Sequence, residues 1–320
     1  MTTKTATANP VRFLDIDESS EGQRLDNFLL KTLKGVPKSL IYRIIRKGEV
    51  RVNKGRAKPE TRLDIGDVVR VPPVRARETG QGAKPSEQLL STLDSAVLYE
   101  SDSLIIINKP SGLAVHGGSG INLGLIEALR SSDRYPGFLE LVHRLDRDTS
   151  GCVMVAKKRS MLKYLQDLLR TEGSIQKSYM ALVQDQWPAK RKLVDVPLLK
   201  REARNGERFV EVNHATGKSS RTRFRVMESF RDATLVEAKP MTGRTHQIRV
   251  HAKYVGHPLI GDDKYGTEQC NKAMRGKGIK RLFLHASRLE VPLPDGERID
   301  IRAALPDDLE RGLRQLRKGV

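Results

Sequence analysis

Apolar residues recur at helical spacing near the start of the chain. The apolar positions between 25 and 33 form one stripe, which predicts a helix. A second stripe over 40–45 predicts another helix, which Gly48 ends. Alternation at 50–52 and an apolar run at 68–71 predict short strands. These elements predict a small α/β unit over residues 20–75.

A polar stretch follows at 76–92. It is rich in Gly and Pro and has no helical or strand periodicity, which is typical of a linker. We therefore predict a boundary there and a second, larger domain over 93–320.

The second domain combines many short apolar runs with a few helical stripes. Because the two do not alternate regularly, the pattern predicts an α+β domain on a mixed, largely antiparallel sheet. Helices are predicted at 125–129, at 162–169, from about 245 with Thr245 as the N-cap, and from about 307. Strands are predicted at 97–100, 104–107, 152–156, 177–183, 222–226, 234–238, 283–286 and 299–301.

The charge balance narrows the class of partner. The 320 residues have a formal net charge of +19, which indicates a polyanionic partner, with nucleic acid the first candidate. No apolar run approaches the roughly 20 residues of a membrane-spanning helix, so we expect no membrane partner. Residues 1–10 lack the apolar segment of a secretion signal, and the two cysteines are too few for a disulfide framework. We therefore expect a cytoplasmic protein.

Basic residues are concentrated in the first unit. Lys and Arg outnumber Asp and Glu more than two to one over 20–75. A basic helix face is most often simply solvated, but here the charges continue into the following turn and strand, which favours contacts to phosphates. The predicted RNA-contacting residues are Arg43, Arg46, Lys47 and Arg51.

The most unusual segment lies at 143–151, with the sequence HRLDRDTSG. It places two carboxylates, two guanidiniums and an imidazole between two apolar runs. A charged turn is usually a solvated surface turn, but loops held between rigid core elements are where catalytic residues tend to lie. The residues alone leave both interpretations open.

Taken together, the motifs resemble a known family. The segment 143–151 is similar to the HRLDxxTSG signature of pseudouridine synthases of the RluA family. NKPSG at 108–112, KSYMA at 177–181 and TGRTHQIR at 242–249 match its other motifs in order, and residues 20–75 resemble an S4 RNA-binding module. The resemblance implies a pseudouridine synthase fold. It also implies isomerisation of uridine, in which the N1–C1′ bond breaks and C5 is rejoined to C1′.

The resemblance also implies a set of site residues. Asp146 matches the catalytic aspartate and Tyr179 the active-site tyrosine, and we expect the fold to bring Arg244 beside Asp146. A neighbouring guanidinium would keep that carboxylate anionic, whether it acts as nucleophile or as base. His143, Arg144 and His246 are expected to contact the substrate RNA.

The family needs neither cofactor nor metal, and none is expected here. The chain has neither a GxGxxG nor a GxxxxGK[ST] phosphate motif. His246 and His251 are five residues apart, which is poor helical register for joint metal ligation. We expect a monomer that acts on large-subunit ribosomal RNA.

Three alternatives remain at this point. Transfer RNA could be the substrate, although the S4-like unit favours ribosomal RNA. A non-catalytic RNA-binding assembly factor would explain the charge but not the matched motifs. A phosphotransferase is disfavoured, because its HRD loop requires a glycine loop and a lysine strand that this sequence lacks.

Overall fold

The structure is a computed structural model, which describes residues 10–18, 20–33, 35–74, 85–117, 123–202 and 208–318. The chain divides into two compact units, Met1–Lys84 and Pro85–Val320. Each unit is described by itself.

The first unit packs two helices on a four-stranded antiparallel sheet with strand order β1-β4-β2-β3. Ile41, Ile44 and Ile45 lie on one face of the second helix and are buried in the unit's core, as their spacing predicts. The elements are β1 (Arg12–Asp15), α1 (Leu25–Thr32), α2 (Lys38–Arg46), β2 (Arg51–Val52), β3 (Gly55–Arg56) and β4 (Val68–Val71).

The predicted linker 76–92 requires a correction at its C-terminal end. Residues 75–84 lie outside the described residues. Residues 87–92 are helical, because they belong to α3 (Glu87–Ser95), where the Ser86 side chain caps the helix by accepting from the Leu89 N–H. Leu93 on this helix is buried in the core of the second unit. The domain boundaries remain predictions.

The second unit is built on a ten-stranded sheet. Its main path runs β10-β13-β14-β9-β15-β8-β6-β5, with β16 paired to β15 and β7 paired to β8. Its described strand pairs are antiparallel except the parallel pair of β15 and β8. The predicted α+β class with a mixed, largely antiparallel sheet is therefore confirmed. Its strands are β5 (Val97–Glu100), β6 (Leu104–Lys109), β7 (Glu140–Leu141), β8 (Ser150–Ala156), β9 (Gln176–Gln184), β10 (Leu193–Asp195), β13 (Arg221–Phe230), β14 (Ala233–Pro240), β15 (Leu284–Pro292) and β16 (Arg298–Arg302), while β11 (Leu198–Glu202) and β12 (Arg208–Val212) form a separate two-stranded sheet.

Both faces of the central strands are covered. Along β6, Ile105 and Ile107 pack in one apolar cluster, whereas Leu104 and Ile106 pack in another. Because successive side chains of a strand point to opposite faces, a strand covered on both faces is apolar throughout. The helices that follow α3 are α4 (Leu125–Arg130), α5 (Arg159–Arg170), α6 (Gln247–Tyr254), α7 (Glu268–Gly276) and α8 (Asp307–Lys318).

Candidate active site

The segment 143–149 connects β7 to β8, and the turn after β6 holds its backbone. The buried Lys109 ammonium donates to the carbonyl oxygens of Pro110 at 2.8 Å, Leu113 at 2.8 Å and Arg147 at 3.0 Å. The Ser111 hydroxyl donates to the Asp148 carbonyl at 2.8 Å. The NKPSG motif therefore fixes the loop that carries Asp146, through hydrogen bonds to its carbonyl groups.

Gly151 is the second residue of β8, directly after this segment, and its backbone conformation is one that only glycine adopts without strain. Its φ is +107°, and a Cβ at this position would overlap the carbonyl oxygen of Ala286. Ala286 pairs in register with Gly151 on one side and with Tyr179 on the other. Gly151 and Tyr179 therefore lie side by side across the sheet, separated by the strand β15.

Tyr179 lies on β9 and is buried. Burial, together with the negative charge of Asp146, raises the pKa of its hydroxyl well above the usual range. The ring is therefore neutral and stands in the electric field of the Asp146 carboxylate.

The guanidinium that contacts Asp146 is Arg249, which corrects our expectation of Arg244. Nη1 of Arg249 donates to Oδ2 of Asp146 at 3.1 Å. Nε of Arg244 instead donates to the Ser219 carbonyl at 3.1 Å, and its side chain is exposed. Arg244 precedes α6, whereas Arg249 lies within the helix and projects towards the loop.

A buried carboxylate orients Arg249. Asp262 accepts two hydrogen bonds from the guanidinium, from Nε and Nη2, each at 2.7 Å. Its side chain is 0% exposed, against 12% for Arg249 and 21% for Asp146. The two acidic partners raise the pKa of Arg249 above its usual range despite the opposing effect of burial. Such a bidentate pair fixes the plane of the guanidinium.

His246 lies beside the same carboxylate oxygen of Asp146 as Arg249 and is the N-cap residue of α6. It replaces the predicted Thr245 as N-cap, and its φ of +53° lies in the left-handed region, which is uncommon for a residue other than glycine. Nε2 is 3.7 Å from Oδ2 of Asp146, and Nδ1 is 2.7 Å from the Tyr265 hydroxyl. Burial lowers the pKa of His246, so the imidazole is neutral at neutral pH.

His143 and Arg144 open the loop and differ in environment. The Met154 N–H donates to Nε2 of His143 at 3.2 Å, and burial lowers the pKa of this imidazole to about 3. His143 is thus a neutral group that ties the loop to β8. Arg144 is exposed.

Several of these residues line a cavity of about 580 Å³. Asp146, Tyr179, Arg244 and Arg249 all line it. Lys177, two residues before Tyr179 on β9, also lines it, and burial lowers the pKa of its ammonium. The cavity thus presents a carboxylate, a neutral phenol and several cations to one space.

The predicted RNA-contacting residues of the first unit lie at its surface. Arg43 and Arg46 are exposed on α2, and Lys47 and Arg51 are exposed immediately after it and on β2. The helix buries its three isoleucines on the opposite side.

The described residues offer neither a metal site nor a membrane span. They contain no group of three or more His, Cys, Asp or Glu side chains arranged to hold a metal ion. None of the helices in the described ranges is both long enough and apolar enough to cross a bilayer.

Comparison with known proteins identifies the family of the chain. A family model for RNA pseudouridylate synthase matches residues 103–254, and an S4 domain model matches residues 23–69. The chain is 54% identical over 311 residues to ribosomal large subunit pseudouridine synthase C of Haemophilus influenzae, covering 96% of both chains. The chain belongs to the pseudouridine synthase family. It is therefore an isomerase that acts on RNA.

A second relative has the same name as the first, and a solved structure has a similar fold. Ribosomal large subunit pseudouridine synthase C of Escherichia coli (strain K12) is 52% identical over 311 residues, covering 96% of this chain and 97% of the relative. Among solved structures, human RNA pseudouridylate synthase domain containing 4 matches with a TM-score of 0.58 and 26% identity, covering 72% of this chain and 96% of that one.

Sequence reasoning missed the roles of Arg249, Asp262 and Tyr265. Arg249 was part of a matched motif but received no role, although it lies three residues after His246 and hence on the same helix face. That spacing could have identified it. Asp262 and Tyr265 follow α6 in a segment without a recognisable motif, and only the tertiary contacts reveal them.

Proposed function

We propose that Asp146 is the catalytic carboxylate of this pseudouridine synthase and that large-subunit ribosomal RNA is its substrate. The ion pair between Asp146 and Arg249, in a cavity of about 580 Å³ that Tyr179 also lines, is the observation that supports the assignment most directly. The names of relatives more than 50% identical to this chain support the choice of RNA.

The contacts of Asp146 suggest how it acts. Arg249 and His246 both face Oδ2, whereas Oδ1 accepts no hydrogen bond from the described residues. A carboxylate held by one oxygen can direct the other at the ribose, where it acts as nucleophile or as base while the N1–C1′ bond breaks. Arg249 places a positive charge beside the other oxygen, Oδ2.

Tyr179 completes the reacting pocket. Its buried neutral ring offers a face against which the uracil ring can stack while it turns and joins C1′ through C5. N1 gains a proton and C5 loses one, so that atoms balance without any cofactor. Because the hydroxyl is protonated, it can help to move the C5 proton only as a relay, in which its oxygen takes that proton as it releases its own.

The basic residues bind the RNA backbone. A uridine inside folded RNA must leave its stack, which costs about a few kcal/mol. Phosphate contacts at Arg43, Arg46, Lys47 and Arg51, with Arg144, Lys177 and Arg244 at the cavity, offset this cost through counterion release.

The proposal includes a monomer in the cytoplasm, where the RNA is available. A single copy of the chain brings the carboxylate, the phenol and the guanidiniums to one cavity, which supports catalysis by a monomer. Light scattering of the purified protein at working concentration would give the mass of one chain, 35.9 kDa, if this is correct.

The test is release of tritium from C5-labelled uridine in RNA. We expect wild type to release tritium from large-subunit ribosomal RNA and not from transfer RNA, and Asp146→Asn to release none. Asp148→Asn is the matched control, because Asp148 is two residues from Asp146 and its carboxylate pairs with the exposed Arg147. Equal release by wild type and Asp146→Asn would contradict the site assignment, and release from transfer RNA alone would contradict the substrate.

A further inference from the structure

The hydroxyl of Tyr265 lies between a backbone amide and an imidazole. The Val210 N–H, on β12, donates to this oxygen at 2.9 Å, and Nδ1 of His246 is 2.7 Å away. Tyr265 is 5% exposed, and a buried hydroxyl generally donates to an acceptor within the protein. Nδ1 of His246 is the acceptor that the described residues offer.

The direction of this hydrogen bond fixes the tautomer of His246. If Nδ1 carried the proton, the Tyr265 oxygen would receive two donors and its buried O–H would have no acceptor. Tyr265 therefore donates to Nδ1, and the imidazole carries its proton on Nε2. That nitrogen faces Oδ2 of Asp146 at 3.7 Å, which is longer than a hydrogen bond but of the kind that tightens when substrate binds.

One carboxylate holds Arg249 directly and His246 indirectly, through Tyr265. Asp262 binds Arg249 through two hydrogen bonds and accepts from the backbone N–H of Tyr265 at 3.0 Å. The Arg249 guanidinium also lies over the Tyr265 ring, 5.0 Å from its centroid. The left-handed backbone of His246 is a strained conformation of the kind that persists where the surroundings determine it fully.

We propose that Tyr265 is a positioning residue for the isomerisation, because it holds His246 in the Nε2–H tautomer that faces Asp146. His246 and Arg249 then hold Oδ2 together, and Oδ1 is left for the nucleotide. This inference rests on the proposed role of Asp146. Since Val210 belongs to the β11–β12 hairpin, the same chain of hydrogen bonds connects that hairpin to the active site.

The first test is Tyr265→Phe, which removes the donor to Nδ1 and keeps the ring. A donor at Nδ1 stabilises the neutral imidazole, so its loss raises the pKa of His246 and moves the acid limb of the kcat profile to higher pH. We expect kcat to fall about tenfold with KM nearly unchanged. The charged and titratable groups that act on His246 are Asp146, Arg249, Asp262, Lys264 and Tyr265.

Tyr135→Phe is the matched control. The Tyr135 hydroxyl is also buried but has no hydrogen-bond partner among the described residues, so its removal should leave kcat and the pH profile unchanged. A shift of equal size in both variants would overturn the proposal.

A double variant separates tautomer control from a structural role. Gln at position 246 offers an amide N–H that cannot titrate, so Tyr265→Phe should have no further effect on kcat in a His246→Gln background. The same loss of kcat in both backgrounds would overturn the proposal.

Nitrogen NMR of His246 in the intact wild-type protein provides a readout independent of activity. We expect the Nε2–H tautomer at neutral pH, and finding Nδ1–H would overturn the inference whatever the kinetics. Tritium release by Asp146→Asn would instead contradict the proposed function and leave the NMR result standing, so the two failures are distinguishable.

Discussion

Nη1 of Arg249 donates to Oδ2 of Asp146 at 3.1 Å, between residues 103 positions apart in the chain. The guanidinium is not free to turn, because Asp262 holds its other edge. Catalytic electrostatics depend on such preorganised groups, which need no rearrangement when charge moves in the transition state.

We first predict that Arg249→Lys lowers kcat by about a hundredfold. Lysine keeps the charge but cannot bind Asp262 in bidentate fashion and Asp146 at the same time. Single-turnover kinetics on saturating RNA would measure the loss. Arg244→Lys is the matched comparison, since Arg244 donates to the Ser219 carbonyl, and we expect mainly a higher KM. A larger loss of kcat in Arg244→Lys than in Arg249→Lys would indicate that Arg244 is the partner of Asp146 during catalysis.

A second prediction concerns Gly151. Gly151→Ala should lower the free energy of unfolding by about 3 kcal/mol or more, because the methyl group would overlap the Ala286 carbonyl as well as meet an unfavourable φ. Urea denaturation would measure the change.

Gly137→Ala separates these two causes. Gly137 has a φ of +97°, and a Cβ added there would meet nothing within 4 Å, so only the conformational cost of about 1 kcal/mol applies. Equal destabilisation by the two substitutions would contradict the steric argument.

A third prediction concerns the pH dependence of stability. Burial lowers the pKa of Lys109 from 10.5 to about 7. Between these values the unfolded chain holds a proton that the folded chain has released. The contribution of Lys109 to the free energy of unfolding therefore rises with pH through this window and is smallest below about pH 7.

The comparison is with Lys109→Met in urea denaturation at several pH values. We expect the stability advantage of wild type over the variant to increase from about pH 7 to about pH 10. An advantage that stays constant over this range would mean that the three carbonyl acceptors keep the ammonium charged.

A fourth prediction concerns the basic surface of the first unit. Replacing Arg43, Arg46, Lys47 and Arg51 with Gln should weaken RNA binding and flatten its dependence on salt. The slope of log K against log salt should change by about 0.7 to 0.9 for each phosphate that is no longer neutralised. Filter binding across a salt titration would measure it.

The control for that variant is catalysis at saturating RNA. Because the residues that line the cavity all belong to the second unit, kcat should change little. An unaltered salt slope would show that these four side chains are merely solvated.

The sequence predicted most elements of the fold, since hydrophobic periodicity reports which face of an element is buried. It missed the strands β1, β3, β7 and β10 and the helix α7, it did not predict β11 and β12 as separate strands, and it placed the start of α3 in a linker. Short strands and helices with few buried residues carry little periodicity. Leu93, for example, is the one buried residue of α3.

For the site, the sequence by itself determined which reactive side chains are available. HRLDRDTSG and KSYMA supplied the carboxylate and the phenol, and both line the same cavity. Tertiary structure decided which guanidinium reaches Asp146, because Arg244 and Arg249 are close in sequence but differ in position relative to the start of α6. Only the tertiary structure showed that Asp262 and Tyr265 contact the residues around Asp146. Their contacts depend on how the segment after α6 folds back against the helix, and that packing leaves no periodic pattern in the chain.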